Sequence, residues 1–102
     1  MFFSVQQAFD RARVIISGEL DALSAADCRP ALERLCQEDM ALVEIDLANL
    51  RVIDGVGVRL LFDIYKRLSG GNCDLVLQAV GGQPREIFRL TCLDRLIIET
   101  DR

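Results

Sequence analysis

Residues 41–68 change their hydrophobic period within a short stretch, which indicates a strand followed directly by a helix. Ala41–Leu47 alternates, with Val43 and Ile45 on the face opposite Glu44, as in a strand covered on one side. From residue 56 to residue 68, apolar positions instead recur at helical spacing. The stripe predicted to face the core consists of Gly57, Leu60, Leu61, Ile64 and Leu68. A strand and helix joined by so short a turn favour an α/β layer.

The segments on either side carry further strand and helix patterns. Met1–Ala8 and Ala12–Leu20 predict an antiparallel hairpin. Asp74–Val80 is nearly continuous in apolar residues, as in a strand that is covered on both sides or central in its sheet. Pro84 suits the first position of a third helix, and Leu96–Thr100 predicts a last short strand. The predicted order is ββαβαβαβ, a mixed sheet with an antiparallel edge and about three helices.

The first helix is predicted over residues 25–38, with Ser24 as its N-terminal cap and Asp27 in place of the usual capping-box glutamate. Pro30 lies past the first turn of such a helix. Either the helix kinks at Pro30 or its regular part begins nearer Asp27.

Size and charge narrow the class of protein. A chain of 102 residues fits one domain, residues 1–102, with its own core. The net charge of −4 and the absence of a basic cluster argue against direct nucleic-acid binding. Apolar runs are far too short to span a membrane, and no basic leader precedes one. We expect a cytoplasmic protein without membrane insertion.

The spacing of the cysteines and the absence of histidine give little support to an enzyme or a metal-binding protein. The chain has four cysteines without Cys-x-x-Cys spacing and no histidine, which gives little support to a zinc site or a redox pair. The usual general base for a serine or cysteine nucleophile is also missing. We expect no metal, no cofactor and no enzymatic activity.

Asp54, Gly55, Val56 and Gly57 form the turn between the central strand and helix. Asp54 suits a helix N-cap, and its position after a strand also places it at an edge where α/β folds bind ligands. Gly57 would let the helix start close to the sheet. A phosphate cradle here is weakly supported, because no P-loop or dinucleotide fingerprint is present and Asp54 would repel an anion.

A phosphoacceptor aspartate of the response-regulator kind is also weakly supported. Asp46 and Asp54 suggest the comparison, but no acidic pair ends the first long strand and no lysine follows the strand over Asp74–Val80.

The same helix carries a second apolar face. Val58 and Phe62 are predicted opposite the core stripe, with Arg59 and Lys66 beside them. Such a face suggests a protein-binding surface. The alternatives are that Phe62 folds beneath a neighbouring helix or is one of the single apolar residues found on every protein surface.

Several segments together resemble the STAS domains of anti-sigma factor antagonists. They are Gly18-Glu19-Leu20-Asp21, the helix led by Ser24, Val43-Glu44-Ile45-Asp46-Leu47, Val52-Ile53-Asp54-Gly55-Val56-Gly57, and the stretch from Gly82-Gln83-Pro84-Arg85 to Leu93-Asp94-Arg95-Leu96-Ile97. Their order covers almost the entire chain and is more specific than any one of them. The resemblance implies a STAS-like fold and a non-enzymatic signalling role in sigma-dependent transcription.

The resemblance also implies a change at the family's regulatory position. The family turn reads Asp-Ser-Ser-Gly or Asp-Ser-Thr-Gly, and an anti-sigma factor that is also a switch-type kinase phosphorylates the second hydroxyl residue. Here Val56 falls on that position and has no oxygen to modify. We expect partner binding through Asp54, Gly55, Val56, Gly57, Arg59 and Phe62 without this phosphorylation. Regulation would then act on abundance, on the partner, or at another hydroxyl such as Ser24 or Ser69.

Two other functions are compatible with the sequence. A STAS subunit could bind the ATPase of a lipid-transport complex or join a larger signalling scaffold. A nucleotide-binding or phosphoryl-accepting protein would belong to a different class, supported only by Asp54 and two glycines. The sequence leaves self-association into a homo-oligomer open.

Overall fold

The computed structural model describes residues 1–98. This range contains six strands and three α-helices. In order, they are β1 (Phe2–Ala8), β2 (Arg11–Leu20), α1 (Ala22–Cys36), β3 (Leu42–Asp46), β4 (Leu50–Ile53), α2 (Gly55–Gly70), β5 (Asp74–Gln78), α3 (Gly82–Arg89) and β6 (Ile97–Ile98). A 3-10 helix over Cys92–Leu96 precedes β6. Glu99 and Thr100, which the sequence assigned to the last strand, lie outside the described residues.

The sheet is mixed, as predicted. Its main path runs β1-β2-β3-β5-β6. Only the β1–β2 hairpin within it is antiparallel, while β2, β3, β5 and β6 pair in parallel. The α/β class and the antiparallel edge are therefore confirmed, with one strand more than the predicted order contains.

That additional strand is β4, which pairs in parallel with the second half of β2. The first half of β2 pairs with β3, and the register of β2 against β4 shifts between Gly18 and Glu19. Gly18 has φ +92°, and its N–H donates to the carbonyl of Asn49 at 2.9 Å. A glycine inside a strand tolerates this irregular backbone. Gly18 thus lets one long strand serve two parallel neighbours.

One face of the sheet is covered by α1 and α2, and the other carries polar side chains. Buried residues alternate with partly exposed ones along β2, β3 and β5. On the open face, the Arg13 guanidinium donates to Asp46 at 2.7 Å and to Gln78 at 2.9 Å. The amide of Gln78 donates to Glu44 at 3.3 Å. The apolar sequence of β5 was interpreted either as a strand covered on both faces or as a strand central in the sheet. The second interpretation is correct, because β5 lies between β3 and β6 and only one of its faces is buried.

Helix α1 begins earlier than predicted, and its cap is a different residue. Asp21 is the N-cap: its carboxylate accepts the Ser24 N–H at 3.1 Å, and Ser24 Oγ accepts the Asp21 N–H at 2.9 Å. The predicted Ser24 cap is therefore wrong, because Ser24 occupies the third helical position of the capping box. The helix runs through Pro30, which rules out a start near Asp27.

Helix α3 also begins earlier than predicted. Gly81 is its N-cap and Gly82 its first residue, so Pro84 is the third residue and not the first. Phe88 of this helix is fully buried and anchors it against the body of the domain.

Candidate partner-binding site

Helix α2 begins at the carboxyl end of β4, where Asp54 caps it. The Asp54 carboxylate accepts the N–H groups of Val56 and Gly57, both at 3.0 Å. The Asp54 N–H donates to the carbonyl of Leu20 at 3.2 Å. The predicted capping role is confirmed, since the carboxylate satisfies two amides of the first turn that have no partner within the helix.

The two glycines of the turn differ in how closely other atoms surround them. A side chain at Gly57 would place its Cβ 2.5 Å from the carbonyl oxygen of Leu20 and 2.8 Å from Cγ1 of Ile53. Gly57 is therefore required for close packing of the helix start, as predicted. A Cβ at Gly55 would find no atom within 4 Å. Gly55 belongs to the exposed surface of the turn, whereas Gly57 lies beneath it.

Two helices start side by side at this edge of the sheet. Leu20 and Ile53 are partners in the β2–β4 pairing, so the caps of α1 and α2 follow adjacent strand ends. Both helices begin with an aspartate, a small residue and an apolar residue. The apolar residues are Leu23, which is 81% exposed, and Val56, which is 47% exposed. Val56 was identified from sequence, and Leu23 was not.

The second turn of α2 lines an apolar groove of about 320 Å³. Its lining residues are Gly55, Val58, Arg59, Phe62, Thr91 and Leu93. Phe62 is 37% exposed, while Val58 packs partly against the core. The predicted outward face is therefore confirmed for Phe62, whereas Val58 is partly buried against the core and lines the groove together with Thr91 and Leu93.

Cations border Phe62 on the α2 surface. The Lys66 ammonium lies 5.3 Å from the centroid of the Phe62 ring, within the range of a cation–π contact. The Tyr65 ring centroid lies 6.4 Å from that of Phe62. Arg59 is exposed, and no acidic side chain within residues 1–98 forms an ion pair with it. An aromatic ring bordered by cations suits a partner surface that is apolar and acidic.

A second depression, of about 380 Å³, adjoins the groove through Gly55 and Arg59. Asp54, Val56 and Arg29 of α1 complete its lining. Arg29 contacts Glu33 at 3.3 Å and Asp63 at 3.6 Å, which ties α1 to α2. All the predicted site residues except the buried Gly57 line one of the two depressions.

The other reactive groups of residues 1–98 are held in structural contacts or buried. Asp46 is held by Arg13 on the open face of the sheet. Burial raises the pKa of the Cys28, Cys36 and Cys73 thiols, which disfavours the nucleophilic thiolate. Within residues 1–98 no group of three or more histidine, cysteine, aspartate or glutamate side chains could hold a metal ion. No helix within residues 1–98 combines the length and the hydrophobicity of a membrane-spanning segment.

The chain is similar to two curated bacterial regulators. The anti-sigma-B factor antagonists of Listeria monocytogenes and Listeria innocua are each 26% identical to it over 88 residues. Each match covers 86% of this chain and 77% of the relative.

Solved structures share the fold over nearly the full length. The anti-sigma factor antagonist SpoIIAA in its unphosphorylated form superposes with a TM-score of 0.87 at 16% identity, covering 99% of this chain and 90% of that one. An anti-sigma factor antagonist from Mycobacterium paratuberculosis gives a TM-score of 0.85 at 24% identity, covering 97% of this chain and 86% of that one.

The sequence profile of the STAS domain matches residues 7–102. This match includes both helix starts and both depressions at the edge of the sheet. The chain is a member of the STAS domain family.

Proposed function

We propose that this protein is a non-enzymatic binding module that captures an anti-sigma factor, or a switch-type kinase acting as one, and so regulates sigma-dependent transcription. The docking surface consists of Leu23, Asp54, Gly55, Val56, Arg59 and Phe62, with Gly57 positioning the turn. The similarity to anti-sigma-B factor antagonists supports this class of partner. A cytoplasmic location follows from such a role.

The observation that carries the proposal is Val56. It is the second residue of α2 and is 47% exposed, so it is open to a partner. In our proposal it occupies the position that carries the phosphorylated hydroxyl in the family turn. A phosphate there would add a charge of about −1.5 to −2 next to Asp54 and repel an acidic or apolar partner. Valine accepts no phosphate, so this surface stays in its binding form.

The exposed apolar residues support a protein partner over a small ligand. Leu23, Val56 and Phe62 belong to two neighbouring helices at the same edge of the domain. Exposed apolar groups bordered by cations are typical of protein-binding surfaces. A nucleotide site is disfavoured, because Asp54 faces the amides that would otherwise hold a phosphate.

The partner is identified by affinity capture from the native lysate and mass spectrometry. Proteins captured by the wild type but not by the Phe62→Asp variant are the candidates. The proposal predicts an anti-sigma factor or switch kinase among them. Capture of a transporter ATPase in its place would overturn the proposal in favour of a transport role.

Calorimetric titration with the captured partner tests the docking surface. Phe62→Asp is expected to weaken binding at least tenfold, about 1.4 kcal/mol, because it places a charge in the apolar groove. Leu90→Asp is the matched control: Leu90 is 84% exposed and lines neither depression. Equal affinities of the two variants would remove the groove from the docking surface.

A further inference from the structure

Strand β1 is an open edge of the sheet. It pairs with β2 along its whole length, and no other backbone group within residues 1–98 is hydrogen-bonded to it. In an antiparallel pair, alternate residues direct their N–H and C=O groups away from the neighbouring strand. Strand β1 therefore offers a row of donors and acceptors that a further strand could use.

The usual protections of an edge strand are absent from β1. Its sequence, Phe-Phe-Ser-Val-Gln-Gln-Ala, contains no charged residue and no proline. Its register with β2 continues through seven consecutive pairs without a bulge. Short length, charge, proline and bulges are the features by which proteins prevent edge-to-edge pairing. None of them protects this strand.

Strand β4 shows how another edge of the same sheet is closed. It has four residues and pairs only with β2. On its other side, the Gln83 side chain accepts the Ile53 N–H at 2.9 Å and donates to the Ile53 carbonyl at 3.0 Å. The amide of Gln83 takes the place that a further strand would occupy. Within residues 1–98, the side chain bonded to β1 is that of Glu38, and it accepts from the Gln7 side chain and not from the strand backbone.

We propose that a second copy of this chain pairs with β1 in antiparallel orientation, centred on Val5, so that one sheet continues through a two-fold dimer. In this register Ser4 lies opposite Gln6 of the second copy, and no charged side chains of β1 meet. At the ends of the strand, exposed Phe2 lies opposite Ala8 of the second copy. The strand is thus complementary to itself, and two-fold symmetry closes the assembly at two copies.

Analytical ultracentrifugation of the purified protein over a wide concentration range tests this dimer. We expect a monomer–dimer equilibrium. Ser4→Lys combined with Gln6→Lys brings lysines opposite each other across the interface and should weaken dimerisation at least tenfold. Ser4→Lys combined with Gln6→Glu is the matched control, because opposite charges then face each other and the dimer should persist.

Two further readouts keep the test independent of folding defects. Circular dichroism establishes that both double variants are folded, and hydrogen exchange of the wild type should show β1 amides becoming more protected as concentration rises. A wild type that stays monomeric would overturn the dimer, as would equal dimerisation of the two double variants. Because β1 carries none of the docking residues, neither result depends on anti-sigma factor binding.

Discussion

Asp54 and Gly57 could be assigned from sequence because their roles depend on neighbours close along the chain. A cap bonds to amides two and three residues ahead, and Gly57 lies on the core stripe of its own helix. Leu23 could not be assigned in this way. The helix start that carries Leu23 lies next to that of Val56 because Leu20 pairs with Ile53. These two strand residues are far apart in the sequence.

The two glycines of the turn should respond oppositely to alanine. In Gly57→Ala the new Cβ would lie 2.5 Å from the Leu20 carbonyl oxygen, so the helix start must move, and the free energy of unfolding should fall by about 1 to 3 kcal/mol. In Gly55→Ala the Cβ meets no atom within 4 Å, so stability should be unchanged or rise by up to about 1 kcal/mol. Urea unfolding measures both. Equal gains in the two variants would show that helix propensity, and not close packing, governs the turn.

The start of α1 was misassigned because two capping residues compete in its sequence. Ser24 followed by Asp27 resembles a capping box, but the observed box joins Asp21 and Ser24. Ser24 Oγ also donates to the carbonyl of Glu19 at 2.8 Å, which ties the helix to the end of β2. The end of β2 determines which of the two capping boxes forms. The spacing of Ser, Asp and Glu residues in the sequence does not predict where that strand ends.

The Asp21 cap should make stability depend on pH. The N–H of Ser24 donates to its carboxylate and lowers its pKa. A pKa lowered by folding stabilises the protein above the ordinary aspartate value of about 3.9, and this contribution disappears as the pH falls through the lowered value.

Asp21→Asn, which keeps the shape of the cap but cannot ionise, tests this dependence. The variant should be less stable than the wild type at neutral pH, and the difference should shrink below about pH 4. Thermal unfolding at several pH values measures it. A difference that stays constant down to about pH 2 would contradict the assigned role of the charge.

The sequence predicted the α/β class of the domain and most of its strands, but it did not predict every strand. Strands β1, β2, β3 and β5 and the core stripe of α2 follow from hydrophobic periodicity. Strand β4 was missed because it has only four residues and forms where β2 changes partner. Gly18, an isolated glycine within a strand pattern, was the available signal. The groove closed by Thr91 and Leu93 required the assembled fold.

The fold brings the two helix starts together at one edge of the sheet. Pairing of β2 with β4 aligns two helix starts, and contacts of Arg29 with Asp63 hold α1 against α2. The two depressions share Gly55 and Arg59, so Val56 and Phe62 border one continuous surface at this edge of the domain. In our proposal this surface is permanently ready to bind, because the turn contains no hydroxyl group.

The decisive measurement is binding of the captured switch kinase before and after incubation with ATP and magnesium, for the wild type and for Val56→Ser. The wild type should keep its affinity and gain no phosphate. The Val56→Ser variant should be phosphorylated at the new hydroxyl and then bind at least tenfold more weakly. Phosphorylation of the wild type at any residue, with loss of binding, would contradict a permanently ready docking surface.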